Sequence, residues 1–187
     1  MSTDDLRHQL GPLAPLVGVW EGAEGHDIAP SPDRGTASTP YRERTTFDLV
    51  GEVRNHEQSL GVLRYATRAW RIGAADAFHE EVGYWSWEPG TGQVLRCFLV
   101  PRGISLIAAG DAGPEVREFT LSSEAGSCTQ GICTNPFLDR EFKILSYEVT
   151  VRILDDDTFA YDQDTVLRIA GRPEPFHHRD RNTLRRA

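Results

Sequence analysis

Lysine is nearly absent from this chain of 187 residues, and Lys143 is the only one. The other basic residues are arginines, and acidic residues outnumber them, which gives a formal net charge of −8. An acidic surface disfavours non-specific binding to nucleic acid or to anionic membranes, because a basic face supplies most of that attraction. The sequence therefore predicts neither a nucleic-acid partner nor a membrane partner.

Long apolar runs and a secretory leader are also missing. No apolar run approaches the roughly 20 residues that a membrane-spanning helix needs. The start, residues 1–5, lacks the basic and apolar regions of a secretory signal. The three cysteines, Cys97, Cys128 and Cys133, are an odd number and fit free thiols in a reducing compartment better than a disulfide framework. These features predict a cytoplasmic protein.

Several common catalytic motifs are absent from the sequence. It has no glycine-rich phosphate loop followed by Lys-Ser or Lys-Thr, no Gly-x-Ser-x-Gly elbow and no His-Glu-x-x-His zinc helix. Cys128 and Cys133 have no histidine nearby in the sequence, which favours ordinary loop thiols over a metal site. Any chemistry must therefore come from other residues, and the histidines are the first candidates.

An alternation of apolar and polar residues dominates the chain after a short leader. The clearest example is 145–153, which is followed by a turn at 155–157 and by a second alternating segment from Phe159, so the pair predicts a hairpin. Strict alternation places one face against a core and the other in water. Predicted strands lie near 16–23, 41–51, 60–72, 78–87, 92–100, 103–109, 115–123, 141–153, 158–170 and 176–185.

This pattern predicts an all-β fold: an up-and-down antiparallel β-barrel of about ten strands, with a short N-terminal helical leader. The leader covers 1–15 and the barrel covers 16–187, as a single domain. Closure into a barrel removes the exposed sheet edges, although strand counting alone leaves a two-sheet sandwich open. The Pro-, Ser- and Thr-rich stretch from Ala29 to Pro40 predicts a long loop near a barrel mouth, and no second helix is expected.

Two groups of histidines are candidate functional residues. His79 and Glu81 lie on one face of a predicted strand, where the carboxylate can orient or protonate the imidazole; a polar pair at the barrel rim is the simpler alternative. His177 and His178 begin the last strand, and only one of two adjacent residues can face the interior. The less charged face includes His178, which predicts His178 inside and His177 in solvent. An inward histidine that is only hydrogen-bonded to the core remains the alternative.

Several short motifs match a known family in order. Gly18, Trp20 and Gly22 resemble its Gly-x-Trp-x-Gly-x-Gly signature, in which the tryptophan of the first strand closes one end of the barrel. Three further segments follow: His79-x-Glu81-x-Gly83-Tyr84, Pro101-Arg102-Gly103-Ile104, and Thr183-Leu184-Arg185-Arg186. From about residue 13 onward, the chain resembles a divergent branch of the nitrobindin-like haem-binding β-barrels, which are calycin-type barrels similar to fatty-acid-binding proteins.

The resemblance implies a ferric haem b at the barrel mouth, held by His177 or His178, with His79 lining the pocket near the open side of the iron. Counting forward from Gly171 selects His177, counting back from the C-terminal motif reaches Arg179, and the strand pattern prefers His178. The resemblance also implies binding of nitric oxide and conversion of peroxynitrite to nitrate. The expected partner is therefore a small molecule, and a homodimer is compatible with this interpretation.

Two other functions remain open at this stage. The first is a haem-free carrier or sensor of a fatty acid or another apolar small molecule, held in the cup of the barrel. The second is a cofactor-free enzyme that uses His79 with Glu81 as a base.

Overall fold

The computed structural model describes the backbone of residues 3–187 and the side chains from residue 5 onward. The first two residues of the predicted leader lie outside the described residues. The leader forms helix α1 (Thr3–Leu10) and a 3-10 helix (Gly11–Leu16). Pro12 and Pro15 lack the backbone N–H groups that a continuing α-helix would use, which explains the change of helix type. The predicted leader is confirmed.

Eleven strands follow the leader, and each of the ten predicted strands is among them. Their bounds are β1 (Gly18–Pro30), β2 (Thr36–Asn55), β3 (Gln58–Arg71), β4 (His79–Glu88), β5 (Gln93–Val100), β6 (Ile104–Asp111), β7 (Glu118–Glu124), β8 (Ile132–Thr134), β9 (Phe142–Asp155), β10 (Thr158–Ile169) and β11 (Phe176–Arg186). The order β5-β4-β3-β2-β1-β11-β10-β9-β7-β6 closes on itself, because β5 also pairs with β6. The structure is therefore an antiparallel barrel of ten strands, with the short β8 added to β6.

The predicted long loop between Ala29 and Pro40 is wrong. Strand β1 continues to Pro30, which pairs with Thr36 of β2, so that only residues 31–35 connect the two strands. Arg34 has a φ of 64° and supplies the left-handed turn residue. Thr36, Ser38 and Thr39 of this stretch lie in the paired strand β2, and the β-branched threonines fit a sheet as well as a loop.

The expectation of no second helix is also wrong. Helix α2 (Pro136–Glu141) lies between β8 and β9. The side chain of Asn135 accepts a hydrogen bond from the backbone N–H of Leu138 at 3.0 Å, and Pro136 begins the first turn. Asn-Pro is a recognisable start signal, since asparagine is a favoured cap and proline is preorganised for the first helical position. The helix has only six residues, too few for a hydrophobic period to be visible.

The leader closes one end of the barrel through Trp20. This side chain is 1% exposed, and its indole N–H donates to the Leu16 carbonyl at 2.7 Å. The guanidinium of Arg186 lies 4.3 Å from the ring and donates to the Val17 carbonyl at 2.7 Å. The predicted role of the tryptophan is confirmed, and Arg186 joins the two ends of the chain at this closed end. None of the helices that the structure describes is long and apolar enough to cross a membrane.

Candidate functional site

The interior of the barrel contains a cavity of about 60 Å³. A cavity of about 150 Å³ is needed to hold benzene, so this one fits only a few non-hydrogen atoms. It differs from the apolar cup that the sequence predicts, because charged side chains occupy inward positions of four strands. They are Glu43 on β2, Glu81 on β4, Arg96 on β5 and Asp180 on β11.

Glu81 is the centre of one buried polar group. It accepts hydrogen bonds from Arg96 Nη2 at 2.7 Å and from the Tyr65 hydroxyl at 2.9 Å, and it lies 3.0 Å from His79 Nε2. Burial by itself would raise the pKa of this carboxyl, but the charge of Arg96 and the bonds from His79 and Tyr65 lower it to about 2. Glu81 is therefore an ionised acceptor, as the predicted pairing with His79 requires.

Arg96 was missed by the sequence analysis. It is 8% exposed, donates to the Tyr147 hydroxyl as well as to Glu81, and lies 4.7 Å from the Phe98 ring centroid. A buried guanidinium is tolerable when it is paired and surrounded by aromatic faces. Arg96 is two residues from both Val94 and Phe98, which are buried, so it occupies an inward position of β5. This spacing could have predicted a charge on the inward face of the strand.

A second polar group lies beside the first. The Tyr161 hydroxyl donates to Glu43 Oε2 at 2.8 Å and lies 2.8 Å from the Tyr41 hydroxyl, which in turn bonds Asp180. Burial raises the pKa of the Asp180 carboxyl to about 7; the bond from Tyr41 opposes this shift, and the charge of Glu43 adds to it. Glu43 also accepts from Asn182 at 3.0 Å. The Asp180 carboxyl therefore holds a proton at mildly acidic pH.

The two histidines of β11 lie on opposite faces, and the structure places them as the strand pattern prefers. His178 shares the inward side with Asp180, and its Nε2 lies 2.7 Å from Asp27 Oδ1 of β1. His177 is on the outer face, where its Nδ1 lies 2.7 Å from Asp164 Oδ2. The exposed fractions of the two side chains are 33% for His178 and 50% for His177. Each imidazole therefore has a carboxylate partner, but only His178 faces the interior.

His79 also faces the interior, and it lines the cavity at the start of β4. Its side chain is 39% exposed, so it lies between the cavity and solvent. Burial disfavours the charged imidazole, but the bond and charge of Glu81 outweigh it, so the pKa of His79 is raised. His79 and His178 therefore lie near the starts of β4 and β11, and both face the interior. Only His79 lines the cavity.

The motif glycines are explained by close backbone approaches. A Cβ on Gly83 would lie 2.0 Å from the Cys97 carbonyl oxygen of the paired strand, and one on Gly22 would lie 2.7 Å from the Thr183 carbonyl oxygen. At Gly18, with a φ of 129°, an added Cβ would meet the Arg186 side chain at 2.7 Å. These glycines allow neighbouring segments to approach closely.

The signature places its last glycine at position 24, but this chain has Glu24 there and a glycine one residue later, at Gly25. The structure explains this displacement. The register of β1 shifts between Gly22 and Gly25, which marks a β-bulge. A Cβ on Gly25 would lie 2.4 Å from the Tyr41 ring. The inserted residue is therefore absorbed by the strand. Tyr84, by contrast, is 51% exposed on the outside of the barrel and takes no part in the interior site.

The comparisons with known proteins agree with this architecture. The chain belongs to the family of the THAP4-like, heme-binding beta-barrel domain, whose model matches residues 9–186. Among curated proteins, a peroxynitrite isomerase of Nocardia farcinica is 29% identical over 185 residues, which cover 97% of this chain and 92% of that protein. Peroxynitrite isomerase 2 of Mycobacterium ulcerans is 28% identical over 151 residues, covering 80% and 85%.

A solved structure shows the same fold. Rv2717c from M. tuberculosis superposes with a TM-score of 0.65 and 23% sequence identity, covering 94% of each chain. The two proteins therefore share the fold. The family membership predicted from the short motifs is confirmed, whereas the histidine that would bind the haem iron stays a prediction.

Proposed function

We propose that this protein binds haem b through His178 and uses it in the chemistry of nitric oxide and peroxynitrite, with nitrate as the product. Three findings support the proposal: the family is a haem-binding one, two similar proteins are named peroxynitrite isomerases, and the last strand presents an inward imidazole. The choice of His178 as the residue that binds the haem iron rests on its inward position.

The donor set around His178 suits an axial ligand. Its Nε2 is bonded to Asp27, and among the described residues no protein hydrogen bond to its Nδ1 is found, so that nitrogen can face a metal. A carboxylate on the other ring nitrogen fixes the orientation of a metal-bound histidine and increases its basicity. His178 is also one-third exposed, so a planar ligand can reach it. These features support His178 as the residue that would hold the haem iron.

The interior cavity does not hold the macrocycle. At about 60 Å³ it is far too small for a group of haem size, and neither His178 nor Asp27 lines it. We therefore place haem at the mouth. Haem held there by His178 would supply a ferric iron that acts as a Lewis acid toward an oxygen of peroxynitrite. The chain itself orients the imidazole through Asp27, and the raised pKa of Asp180 keeps a proton on that carboxyl at mildly acidic pH.

The two alternative functions have less support. The interior cavity suits a fatty acid poorly, since it is small and charged side chains contribute to its walls. A cofactor-free enzyme that uses His79 with Glu81 as a base pair has less support because the family is a haem-binding one.

Haem titration of the purified protein tests the proposal. We expect a Soret band in the wild-type spectrum and at least a tenfold (about 1.4 kcal/mol) weaker haem affinity for His178→Ala. His177→Ala is the matched control, because that adjacent imidazole is on the outer face, and it should change the affinity by less than about twofold. Equal effects of the two substitutions, or no Soret band in the wild type, would contradict the assignment.

We also propose a cytoplasmic location and a homodimer, which follow from the sequence and from the family resemblance only. Sedimentation of the haem-loaded and haem-free protein measures the assembly state, and a monomer in both forms would refute the dimer.

A further inference from the structure

Two buried hydrogen-bond donors in the barrel interior have no acceptor among the described residues. They are the indole N–H of Trp85 and the Nε–H of Arg96, and both residues line the same cavity. Trp85 is 4% exposed and Arg96 is 8% exposed, so neither group is solvated by bulk water. An unpaired buried donor costs roughly 1–3 kcal/mol, and more when the group is charged. Two such donors at one cavity indicate a site built for an acceptor.

The size of the cavity limits the acceptor to a small species. Its volume of about 60 Å³ is less than half of the roughly 150 Å³ that holds benzene, which leaves room for two to four non-hydrogen atoms. A planar oxyanion such as nitrate or nitrite meets this limit and offers several acceptor oxygens. Among the described residues, no carboxylate of the wall accepts a hydrogen bond from these two donors; Glu81 accepts from Arg96 Nη2, and Glu43 accepts from Tyr161 and Asn182.

We propose that this cavity is a binding site for a small nitrogen oxyanion, with Trp85 and Arg96 as its donors and His79 at its entrance. The choice of a nitrogen oxyanion rests on the proposed function, since nitrate would be the product of that reaction. The site lies in the barrel interior and is separate from His178, which does not line it. It would therefore hold the product or substrate anion apart from the iron.

The charges around the cavity make anion binding dependent on a proton. Arg96 is balanced by Glu81, and the carboxyl groups of Glu43 and Asp180 also line the cavity. His79 faces the same cavity, and the charged groups that face it are Glu81 on its own strand, Glu43 on β2 and Asp180 on β11. The bond and charge of Glu81 raise the pKa of His79, which favours the protonated imidazole. An anion therefore binds more tightly when His79 is protonated.

Nuclear magnetic resonance of the haem-free, ¹⁵N-labelled protein tests the site directly. Nitrate is titrated at constant ionic strength, set with chloride, at about pH 6, and the indole N–H resonances are followed; we expect a saturable shift of Trp85 with a Kd of about 1–10 mM. Trp20 and Trp87 are internal controls, because their indole groups already donate to the carbonyls of Leu16 and Ala112. The Nε–H resonance of Arg96 should move with the same Kd.

Two substitutions and a change of pH then test whether nitrate binds in this cavity. Arg96→Lys keeps the charge but lacks Nε, and should weaken nitrate binding by at least about tenfold, while Arg68→Lys on the outer face should leave it unchanged. At about pH 8 the affinity of the wild type should fall by about tenfold. If Arg96→Lys fails to fold, the two wild-type resonances alone decide the result.

Three outcomes would overturn the inference. They are no shift of Trp85 at about 100 mM nitrate, which would leave water as the occupant, equal shifts of all indole resonances, or an affinity that does not depend on pH. Haem is absent from these samples. A protein that shows the Trp85 shift but no Soret band would refute the proposed haem function and leave the anion site intact.

Discussion

Replacing Glu81 by glutamine should destabilise the protein strongly, because it leaves the buried guanidinium of Arg96 without a negative partner. Removing one member of a buried ion pair typically costs 3–5 kcal/mol. The lowered pKa gives a similar figure, since a shift from 4.5 to about 2 corresponds to about 3 kcal/mol. For a chain of this size that is a decrease in Tm of roughly 6–12 °C. Urea unfolding followed by tryptophan fluorescence measures the free energy of unfolding directly.

The adjacent residue provides a matched control for this substitution. Glu80 also pairs with an arginine, Arg68, at 2.9 Å, but both side chains are on the exposed face of β4 and β3. Glu80→Gln should therefore cost less than about 1 kcal/mol. Combining Glu81→Gln with Arg96→Met should recover part of the loss, because the unpaired buried charge is removed. Equal losses for Glu81→Gln and Glu80→Gln would refute the reasoning that burial makes the difference.

The same carboxylate sets an acid limit on stability. The folded pKa of Glu81 lies below its unfolded value, so its contribution is complete above about pH 4.5 and is lost as the pH falls toward about 2. In the Glu81→Gln variant this part of the acid dependence should disappear. Urea titrations at a series of pH values measure it, and an unchanged acid dependence in the variant would contradict the assignment.

Three further predictions concern the rest of the barrel. Because the pKa of Asp180 is raised to about 7, the folded state holds this proton more strongly than the unfolded state does. The free energy of unfolding should therefore fall as the pH rises from about 4 to 7, and urea titrations of Asp180→Asn should show a smaller fall. Gly83→Ala should cost roughly 1–3 kcal/mol, since the new methyl group would meet a backbone carbonyl at 2.0 Å, whereas Gly90→Ala meets nothing within 4 Å and should be nearly neutral. Arg186→Ala should lower the free energy of unfolding by about 1–3 kcal/mol through loss of its bonds to the leader, and Arg185→Ala, at the adjacent exposed position, by less than about 0.5 kcal/mol.

Much of the fold was predictable from local pattern. All ten predicted strands are present, because a period of two in apolar residues reports directly which face of a strand is buried. The short elements were missed for a related reason: β8 has three residues and α2 has six, which is less than one readable period. The hairpin at residues 31–35 was missed because its Ser, Thr and Pro composition is typical of loops and does not reveal pairing.

The candidate site was predictable only in part. The pairing of His79 with Glu81 and the inward position of His178 follow from alternation along single strands, and the structure places both accordingly. The partners of those residues come from other strands. Asp27 reaches His178 across 151 positions, and Arg96 meets Glu81 from the next strand.

The sequence by itself determined the ten barrel strands, the closed end at Trp20 and the family, because alternation and short motifs are local patterns of neighbouring residues. Only the tertiary structure decided that the interior is a small, charged cavity rather than an apolar cup. That property depends on which inward side chains meet across the barrel. Glu43, Glu81, Arg96 and Asp180 fill the space only because closure brings four strands to a common centre.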